Sequence, residues 1–264
     1  MTHVSLTERP SVERHLTYLG HATVLLELDG VRLLTDPILR GWVGPLRRQG
    51  RAVDPSQYER VDAVLLSHLH YDHADRGSLA LLDRGTRLLA PAGAGQLLRG
   101  WGFRHAEELS PGNSTDIGPL RIEATWALHD GFRPPFGPRT GCLGFVIAGS
   151  RQIYFAGDTD LFPEMRELGA KLDVALLPVW GWGPTLGRGH LDPYRAAVAL
   201  TLLQPRCAVP IHWGSLAPIG LRWLRPSVWQ DPPHTFARYG ARMAPGVHIA
   251  ILPPGGSLTD AGWR

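Results

Sequence analysis

Four side chains that bind metal ions well fall within six residues of this sequence, directly after an apolar segment. Residues 61–67, Val-Asp-Ala-Val-Leu-Leu-Ser, have the length and composition of a buried strand. His68, His70, Asp72 and His73 follow at once. Alternation along an extended backbone places the first two histidines on one side, with the other two side chains one turn further on. A strand that ends in such a loop predicts a metal site, because a strand end holds ligands rigidly.

The order of these ligands, His-x-His-x-Asp-His, resembles the signature of the metallo-β-lactamase-fold hydrolases. Residues 19–23, Leu-Gly-His-Ala-Thr, and 34–37, Leu-Thr-Asp-Pro, extend the resemblance. Together they are similar to the opening of one branch, which includes the ascorbate-6-phosphate lactonases and the N-acylphosphatidylethanolamine-hydrolysing phospholipase D enzymes. The resemblance covers roughly Leu16 to Pro254. It implies an α/β protein with a four-layer αββα sandwich and a site along one edge.

The resemblance also implies a centre of two divalent metal ions. Three imidazoles would hold one ion, a carboxylate and two imidazoles the other, and one carboxylate would bridge them: His68, His70 and His129; Asp72, His73 and His212; and Asp158. A carboxylate suits the bridging position because its two oxygens can contact two ions. Zinc is favoured by this ligand set, with manganese or iron as alternatives. Diiron electron-transfer chemistry is disfavoured, because those members resemble His-x-Glu-x-Asp-His and this chain has His70 at that position.

Two residues of the opening motifs are expected beside the ligands. In the resembling branch an aspartate lies beneath the metals, so Asp36 is predicted to accept a hydrogen bond from a ligating histidine. The alternative is an ordinary turn aspartate before Pro37. His21 is predicted to support the ligands in the same way, with a buried histidine of purely structural role as the alternative.

The expected nucleophile is a hydroxide that bridges the two ions, because divalent metals lower the pKa of water. Asp72 is predicted to orient this hydroxide. His190 directly precedes a helix start, with Asp192 as N-cap and Pro193 at the first helical position. The branch has a histidine there that faces the substrate. His190 is therefore predicted to protonate the leaving group or to hold a substrate oxygen; otherwise it merely precedes a helix.

Other residues are candidates for contacts with the substrate. Residues 180–184, Trp-Gly-Trp-Gly-Pro, predict a flexible loop in which Trp180 and Trp182 either form a wall for an apolar or ring-shaped group or pack into the core. In the family, an arginine-containing stretch follows the histidine that corresponds to His129. Arg139 belongs to such a stretch here and is predicted to contact the substrate. The irregular residues 38–58 predict either a flap near the site or a surface excursion.

Length and composition predict a single domain over residues 1–264. The formal net charge is only +3 and no basic run is present, so a nucleic-acid partner is not expected. Cys142 and Cys207 lie in apolar segments and are predicted to be buried free thiols. Neither a signal peptide nor a transmembrane segment is visible, which predicts a cytoplasmic protein. The sequence indicates no oligomeric state.

Three classes of function follow from these features. The branch resemblance favours a metal-dependent hydrolase of a phosphodiester, ester or lactone bond in a small molecule or a lipid. A nuclease is one alternative, although no basic aromatic surface is visible. A metal-binding protein without catalysis is the other, and the complete ligand set argues against it. An antibiotic hydrolase is disfavoured, because no cysteine occurs in the ligand motifs.

Overall fold

Two seven-stranded sheets and one three-stranded sheet contain the strands of the computed structural model, which describes residues 15–168, 171–183, 185–220 and 227–263. In chain order the strands are β1 (His15–Gly20), β2 (Thr23–Leu28), β3 (Val31–Thr35), β4 (Trp42–Val43), β5 (Leu46–Arg48), β6 (Ala63–Leu65), β7 (Arg87–Pro91), β8 (Ala106–Leu109), β9 (Ser114–Ile117), β10 (Leu120–Trp126), β11 (Leu143–Ala148), β12 (Gln152–Phe155), β13 (Val174–Pro178), β14 (Cys207–Ile211), β15 (Leu216–Pro218), β16 (His248–Ile249) and β17 (Gly256–Thr259). The helices are α1 (Arg76–Leu79), α2 (Gly95–Gly100), α3 (Met165–Leu168), α4 (Pro193–Leu203), α5 (Ser227–Gln230) and α6 (Pro232–Met243), with 3-10 turns at Pro55–Gln57 and Asp260–Trp263.

The two large sheets have the same pattern of parallel and antiparallel strand pairs. The first has the order β17-β1-β2-β3-β6-β7-β8, and the second has the order β16-β14-β13-β12-β11-β10-β9. In each sheet, antiparallel pairs along one half give way to parallel pairs along the other, at β3/β6 and at β12/β13. In sheets of this kind, ligands bind beyond the carboxyl ends of the strands where the connectivity changes.

Neighbouring side chains on the strands of the first sheet face two different cores. Leu33 and Leu65 pack toward the second sheet, whereas the adjacent Leu34 and Val64 pack on the opposite face. This alternation follows from the period of two along a strand. In the second sheet β13 reads Val-Ala-Leu-Leu-Pro and is buried throughout, as a parallel strand covered on both faces should be.

Helices cover the outer faces of both sheets. Leu79 of α1 and Leu98 of α2 pack with the outer face of the first sheet. Leu200 of α4 and Phe236 of α6 belong to the core that contains the second sheet. The predicted four-layer αββα sandwich is thereby confirmed. None of the described helices has the length and apolar character that a membrane span requires.

Residues 38–58, which were expected to be irregular, contain part of the third sheet. β4 and β5 form a hairpin there, and β5 also pairs with β15. Strands of two or three residues give no recognisable period in a sequence, which explains the wrong expectation. The tip of the hairpin, Gly44 to Leu46, lies at the cavity described below.

Three other predicted elements differ in length from those in the structure. The alternation of β10 ends early, since Trp126 and Leu128 are 53% and 45% exposed where the chain turns toward the site. The helix expected from 78 to 84 is only the short α1, because a turn follows it. The strand expected over 247–252 is limited to β16. β17, which was not predicted, pairs with β1 at a sheet edge.

Cys142 and Cys207 are both buried and free, as predicted. Burial raises the pKa of each thiol to about 12. Both thiols are therefore protonated and unreactive at neutral pH.

Candidate metal centre

The predicted ligands lie where strands of the two large sheets end. In the first sheet β3 leads into Asp36, and β6 leads into the loop 67–73. In the second sheet β12 leads to Asp158 and β14 leads to His212, while His129 follows β10. All of these residues are thereby brought to one edge of the sandwich, where their side chains meet.

His70 and His129 direct nitrogen atoms at each other. His129 Nδ1 donates to the carbonyl oxygen of Gly189 at 2.8 Å, and His70 Nε2 donates to that of Phe132 at 3.0 Å. A carbonyl oxygen only accepts, so each ring has its proton on that nitrogen and a lone pair on the other. The two remaining nitrogens, His129 Nε2 and His70 Nδ1, are 3.1 Å apart. Two facing lone pairs repel each other unless a cation lies between them.

His68 completes this first cluster of three imidazoles. Ser67 Oγ donates to Asp36 Oδ2 at 2.5 Å, and therefore accepts from His68 Nδ1 at 2.9 Å. His68 Nε2 is left buried with no hydrogen-bond partner among the described residues. A buried lone pair of this kind is costly unless it binds something, and coordination to a metal ion would satisfy it.

His73 and His212 form a second facing pair. His73 Nδ1 donates to Asp36 Oδ2 at 2.7 Å, and His212 Nδ1 donates to the carbonyl oxygen of Trp180 at 2.6 Å. Their Nε2 atoms are 3.0 Å apart. Asp158 lies against both, with its Oδ2 3.1 Å from His73 Nε2 and its Oδ1 3.3 Å from His212 Nε2. Asp36 thus accepts a hydrogen bond from a predicted ligand.

Asp158 lies between the two clusters. One of its oxygens also lies within 4.8 Å of a ring nitrogen of His129 and of a ring nitrogen of His190, so one carboxylate reaches both sides of the site. The backbone at Gly157 explains how it gets there. This residue has φ +60, and a Cβ atom at its position would lie 2.4 Å from Ser67 Cβ. A glycine before Asp158 is therefore required by both the turn and the close contact.

Asp72 is fixed by two N–H donors. His21 Nε2 donates to Asp72 Oδ2 at 2.9 Å, and the indole Nε1 of Trp182 donates to the same oxygen at 3.0 Å. Asp72 Oδ2 is 3.7 Å from the Nε2 atoms of both His73 and His212. His21 therefore touches a predicted ligand, while its backbone has an unusual φ of +59.

The charge states of these residues suit metal binding. Burial lowers the pKa of His70 and His129, and it lowers the pKa of His212 to about 3, so these rings are neutral at pH 7. Burial alone would raise the pKa of Asp158, but His212 and His73 hold it well below its ordinary value. Neutral imidazole and ionised carboxylate are the forms that bind divalent ions.

His73 is the exception to this pattern. Burial would lower its pKa, but Asp158, Asp72 and Asp36 raise the pKa well above the ordinary value of histidine. Three carboxylates around one ring create a site that attracts a cation. In the metal-free protein a proton on His73 meets this need, so protons and metal ions compete for the same nitrogen. The set of lone pairs and carboxylates fits divalent metal ions.

A cavity of about 610 Å³ opens above these residues. His190 lines it, with Nε2 3.6 Å from Asp158 Oδ2 and Nδ1 3.2 Å from the carbonyl oxygen of Gly187. Trp182 also lines the cavity and is 40% exposed. The structure therefore brings both residues beside the predicted ligands.

Two predicted substrate contacts lie elsewhere. Trp180 packs against the main core and donates from Nε1 to the carbonyl oxygen of Gly183. Arg139 forms an exposed ion pair with Asp130, and neither Trp180 nor Arg139 lines the cavity. For Trp180 the placement matches the alternative of packing into the core. Pro184 of the same loop lies outside the described residues.

Several functional contacts were missed by reasoning from the sequence. Ser67 connects Asp36 to His68 through two hydrogen bonds. The sequence signal for this contact was that Ser67 directly precedes the first histidine. Trp182 was predicted to be a wall residue or part of the core, although a partly buried indole N–H commonly finds a hydrogen-bond acceptor. The backbone carbonyls of Gly189 and Trp180, which hold two of the histidines, have no signal in a sequence.

Comparison with known proteins identifies relatives over nearly the whole chain. Residues 31–213 match the model of the beta-lactamase superfamily domain. A UPF0173 metal-dependent hydrolase of Opitutus terrae is 36% identical over 92% of this chain and 98% of its own length. A protein of the same name from Aeropyrum pernix is 30% identical over 92% and 96%.

A solved structure shows the same fold. The novel metallo hydrolase Igni18 of Ignicoccus hospitalis superposes with a TM-score of 0.70 at 25% sequence identity, covering 94% of this chain and 98% of that one. The solved structure and the sequence relatives match nearly the same share of this chain. The chain therefore belongs to the β-lactamase superfamily, and within it to the UPF0173 family of metal-dependent hydrolases.

Proposed function

We propose that this chain is a dinuclear hydrolase that cleaves a phosphodiester, ester or lactone bond in a small molecule or a lipid. One observation supports this above the others. Two pairs of imidazole nitrogens, 3.0–3.1 Å apart within each pair, flank a shared carboxylate at the floor of a cavity. Two clusters of ligands around one bridging carboxylate are what a two-ion hydrolytic site requires.

The ligands of the two proposed ions are those predicted from the sequence. His68, His70 and His129 form one cluster, and the second consists of the remaining residues: Asp72, His73 and His212, with Asp158 shared. Two divalent ions bound there would supply a water molecule of lowered pKa and would stabilise negative charge on a substrate oxygen. Zinc is the proposed ion, with manganese and iron as alternatives.

The other side chains would position the reactants. Asp72, which is fixed by the N–H groups of His21 and Trp182, can accept a hydrogen bond from the attacking water and orient it. His190 directs Nε2 toward the cavity floor while its Nδ1 is held by the carbonyl oxygens of Gly187 and Arg188. A protonated Nε2 can give its proton to the leaving group.

The opening motifs support a relationship to the branch of ascorbate-6-phosphate lactonases and N-acylphosphatidylethanolamine phospholipase D enzymes. Those motifs contain His21 and Asp36, and both residues contact predicted ligands. A nuclease is disfavoured, because no lysine or arginine is found among the described residues that line the cavity. A protein that only binds metal would not need a cavity with an additional histidine above its ligands.

Metal content and substrate panels test this proposal. After reconstitution with zinc or manganese, elemental analysis should find close to two ions per chain. The loaded protein should hydrolyse at least one of a panel of chromogenic phosphodiesters, esters and lactones. Metal at trace level after reconstitution, or no turnover across the panel, would refute it.

Two variants separate the proposed roles. Asp158→Ala should lose metal and activity together. His190→Ala should keep its metal but lose turnover by roughly 10²–10⁴-fold, as for a missing general acid. This loss should shrink for a substrate with a leaving group of low pKa, which needs little protonation. If His190→Ala loses a metal ion, His190 is a ligand. If its activity falls equally on two substrates that differ only in the pKa of the leaving group, His190 binds substrate instead of donating a proton.

A further inference from the structure

The walls of the cavity are apolar, although its floor is highly polar. Six apolar or aromatic side chains form the walls: Pro45, Leu46, Tyr71, Pro134, Trp182 and Leu186. Glycines and Thr185 complete them. Apart from Tyr71, the ionisable lining residues belong to the candidate metal centre or are His190. Within the described lining, positive charge could come only from the metal ions or from histidine.

The arginines that neighbour these walls in the chain are engaged elsewhere or exposed. Arg133 donates to the carbonyl oxygen of Ala74 at 3.1 Å, and its guanidinium lies 3.9 Å from the centre of the Tyr71 ring. Arg47 lies over the ring of Trp42 at 5.3 Å. None of these arginines lines the cavity. A charged group of a substrate would therefore find no fixed counter-charge along the walls.

We propose that the cavity accepts an uncharged, apolar substituent of the substrate, such as an acyl chain, an alkyl chain or a hydrocarbon ring. The inference rests on the proposed hydrolase function and names the substrate class of the same site. Burial of apolar surface against Leu46, Trp182 and Leu186 favours binding. Burial of a carboxylate or a phosphate beside the same walls is unfavourable, because nothing there pairs with it.

One wall residue and one neighbour of the walls in the chain expose aromatic rings to solvent. Tyr71 of the wall is 46% exposed, and Phe136, two residues beyond the wall residue Pro134 in the chain, is 97% exposed. The scissile bond would lie at the floor, and its apolar substituent would extend along the walls. A nucleic acid would instead place further phosphates beside these walls, where described cations are lacking.

A matched pair of esters tests the proposal. The 4-nitrophenyl ester of hexanoic acid and the mono-4-nitrophenyl ester of adipic acid have the same leaving group, and differ by a terminal carboxylate in the acyl chain. On zinc-loaded protein we expect kcat/KM to be about 10²-fold lower for the adipate ester. Equal or higher kcat/KM for the adipate ester would overturn the proposal.

A binding measurement separates this proposal from the hydrolase function. Hexanamide and adipamate can be compared by ligand-observed NMR on metal-free protein, in which the adipamate carboxylate has no bound ion to coordinate. We expect hexanamide to bind more tightly than adipamate. If hexanamide binds but no substrate is hydrolysed, the hydrolase function fails and the cavity preference stands. If esters are hydrolysed and adipamate binds at least as well as hexanamide, only the cavity preference fails.

Variants at the wall supply a further test. Leu186→Arg and Thr185→Arg each place a cation beside the cavity, and should lower the hexanoate-to-adipate ratio of kcat/KM at least tenfold. Thr185 is exposed, so its variant remains informative if the half-buried Leu186 does not tolerate arginine. Leu81→Arg adds the same charge at a 50% exposed leucine outside the cavity and should leave the ratio unchanged. An unchanged ratio in folded Thr185→Arg would contradict the proposal.

Discussion

At the scale of single residues, one carboxylate oxygen connects the predicted metal ligands to the cavity wall. Asp72 Oδ2 accepts from His21 on one side and from the indole of Trp182 on the other. A ligand carboxylate held by two donors cannot rotate freely, so its orientation toward an ion is set in advance. Trp182 also lines the cavity, so one side chain contacts both the cavity and a predicted metal ligand.

Substitution of Trp182 by phenylalanine tests this connection. The variant keeps an aromatic wall but loses the N–H that donates to Asp72. Loss of a hydrogen bond to a metal ligand typically weakens metal binding by about 10–100-fold, and we expect an effect in this range. The dissociation constant for zinc can be measured by competition with a chromophoric chelator.

Trp180→Phe is the matched control for this substitution. It also removes an indole N–H, but one that donates to the carbonyl oxygen of Gly183 and not to a ligand. Its zinc affinity should therefore stay close to that of the parent protein. Equal losses in the two variants would show that the loop as a whole, and not the bond to Asp72, governs metal affinity.

At the scale of secondary-structure elements, the carboxyl ends of parallel strands determine where the site lies. The apolar runs that become β6 and β14 were recognisable in the sequence, and so were the predicted ligands that follow them. The resemblance to the metallo-β-lactamase fold then implies that these strand ends meet at one edge, which places His68 near His212 without knowledge of the strand order. The helix start at Asp192 was equally clear, because its N-cap and its proline are local signals.

Other elements could not be predicted, because their structure depends on contacts that are distant in the chain. β17 is a polar edge strand that forms by pairing with β1, more than 230 residues earlier. Trp180 and Gly189 hold His212 and His129 through backbone carbonyls, which every residue type offers equally. The packing of Trp180 against the core and the exposure of Trp182 likewise depend on the surrounding fold.

The start of α4 is expected to contribute measurably to stability. Asp192 Oδ1 accepts from the backbone N–H of Arg195 at 2.8 Å, which satisfies one of the free N–H groups of the first turn. Asp192→Ala should lower the free energy of unfolding by about 1 kcal/mol. Urea denaturation gives this value, and Asp192→Asn, which can form the same cap, should retain most of the stability.

The capping residue Asp192 lies two residues after His190, so loss of the cap should also affect the position of His190. We expect Asp192→Ala to lower turnover while metal content stays unchanged, because His190 loses a fixed position above the floor. If Asp192→Asn were as destabilised as Asp192→Ala, the cap would not be the cause.

At the scale of the whole molecule, the candidate metal centre joins the two large sheets. The loop 67–73 comes from the first sheet, whereas His129, Asp158 and His212 come from the second. The backbone N–H of His212 also donates to the carbonyl oxygen of His21 across this junction at 2.7 Å. Ions bound by ligands from both sheets would cross-link the two halves of the sandwich.

Removal of the metals should therefore destabilise the whole fold and not only the site. Without ions, the facing lone pairs of His70 and His129 and the buried carboxylates of Asp72 and Asp158 are left without a divalent counter-charge. Ligand binding to the folded state alone adds about 4 kcal/mol when the free ion is at a thousand times its dissociation constant. We expect chelated protein to unfold at a clearly lower urea concentration than zinc-loaded protein. In Asp158→Ala the same comparison should show a much smaller difference, because that variant binds metal poorly in either condition. Equal urea midpoints for loaded and fully chelated parent protein would mean that the ions do not link the two sheets.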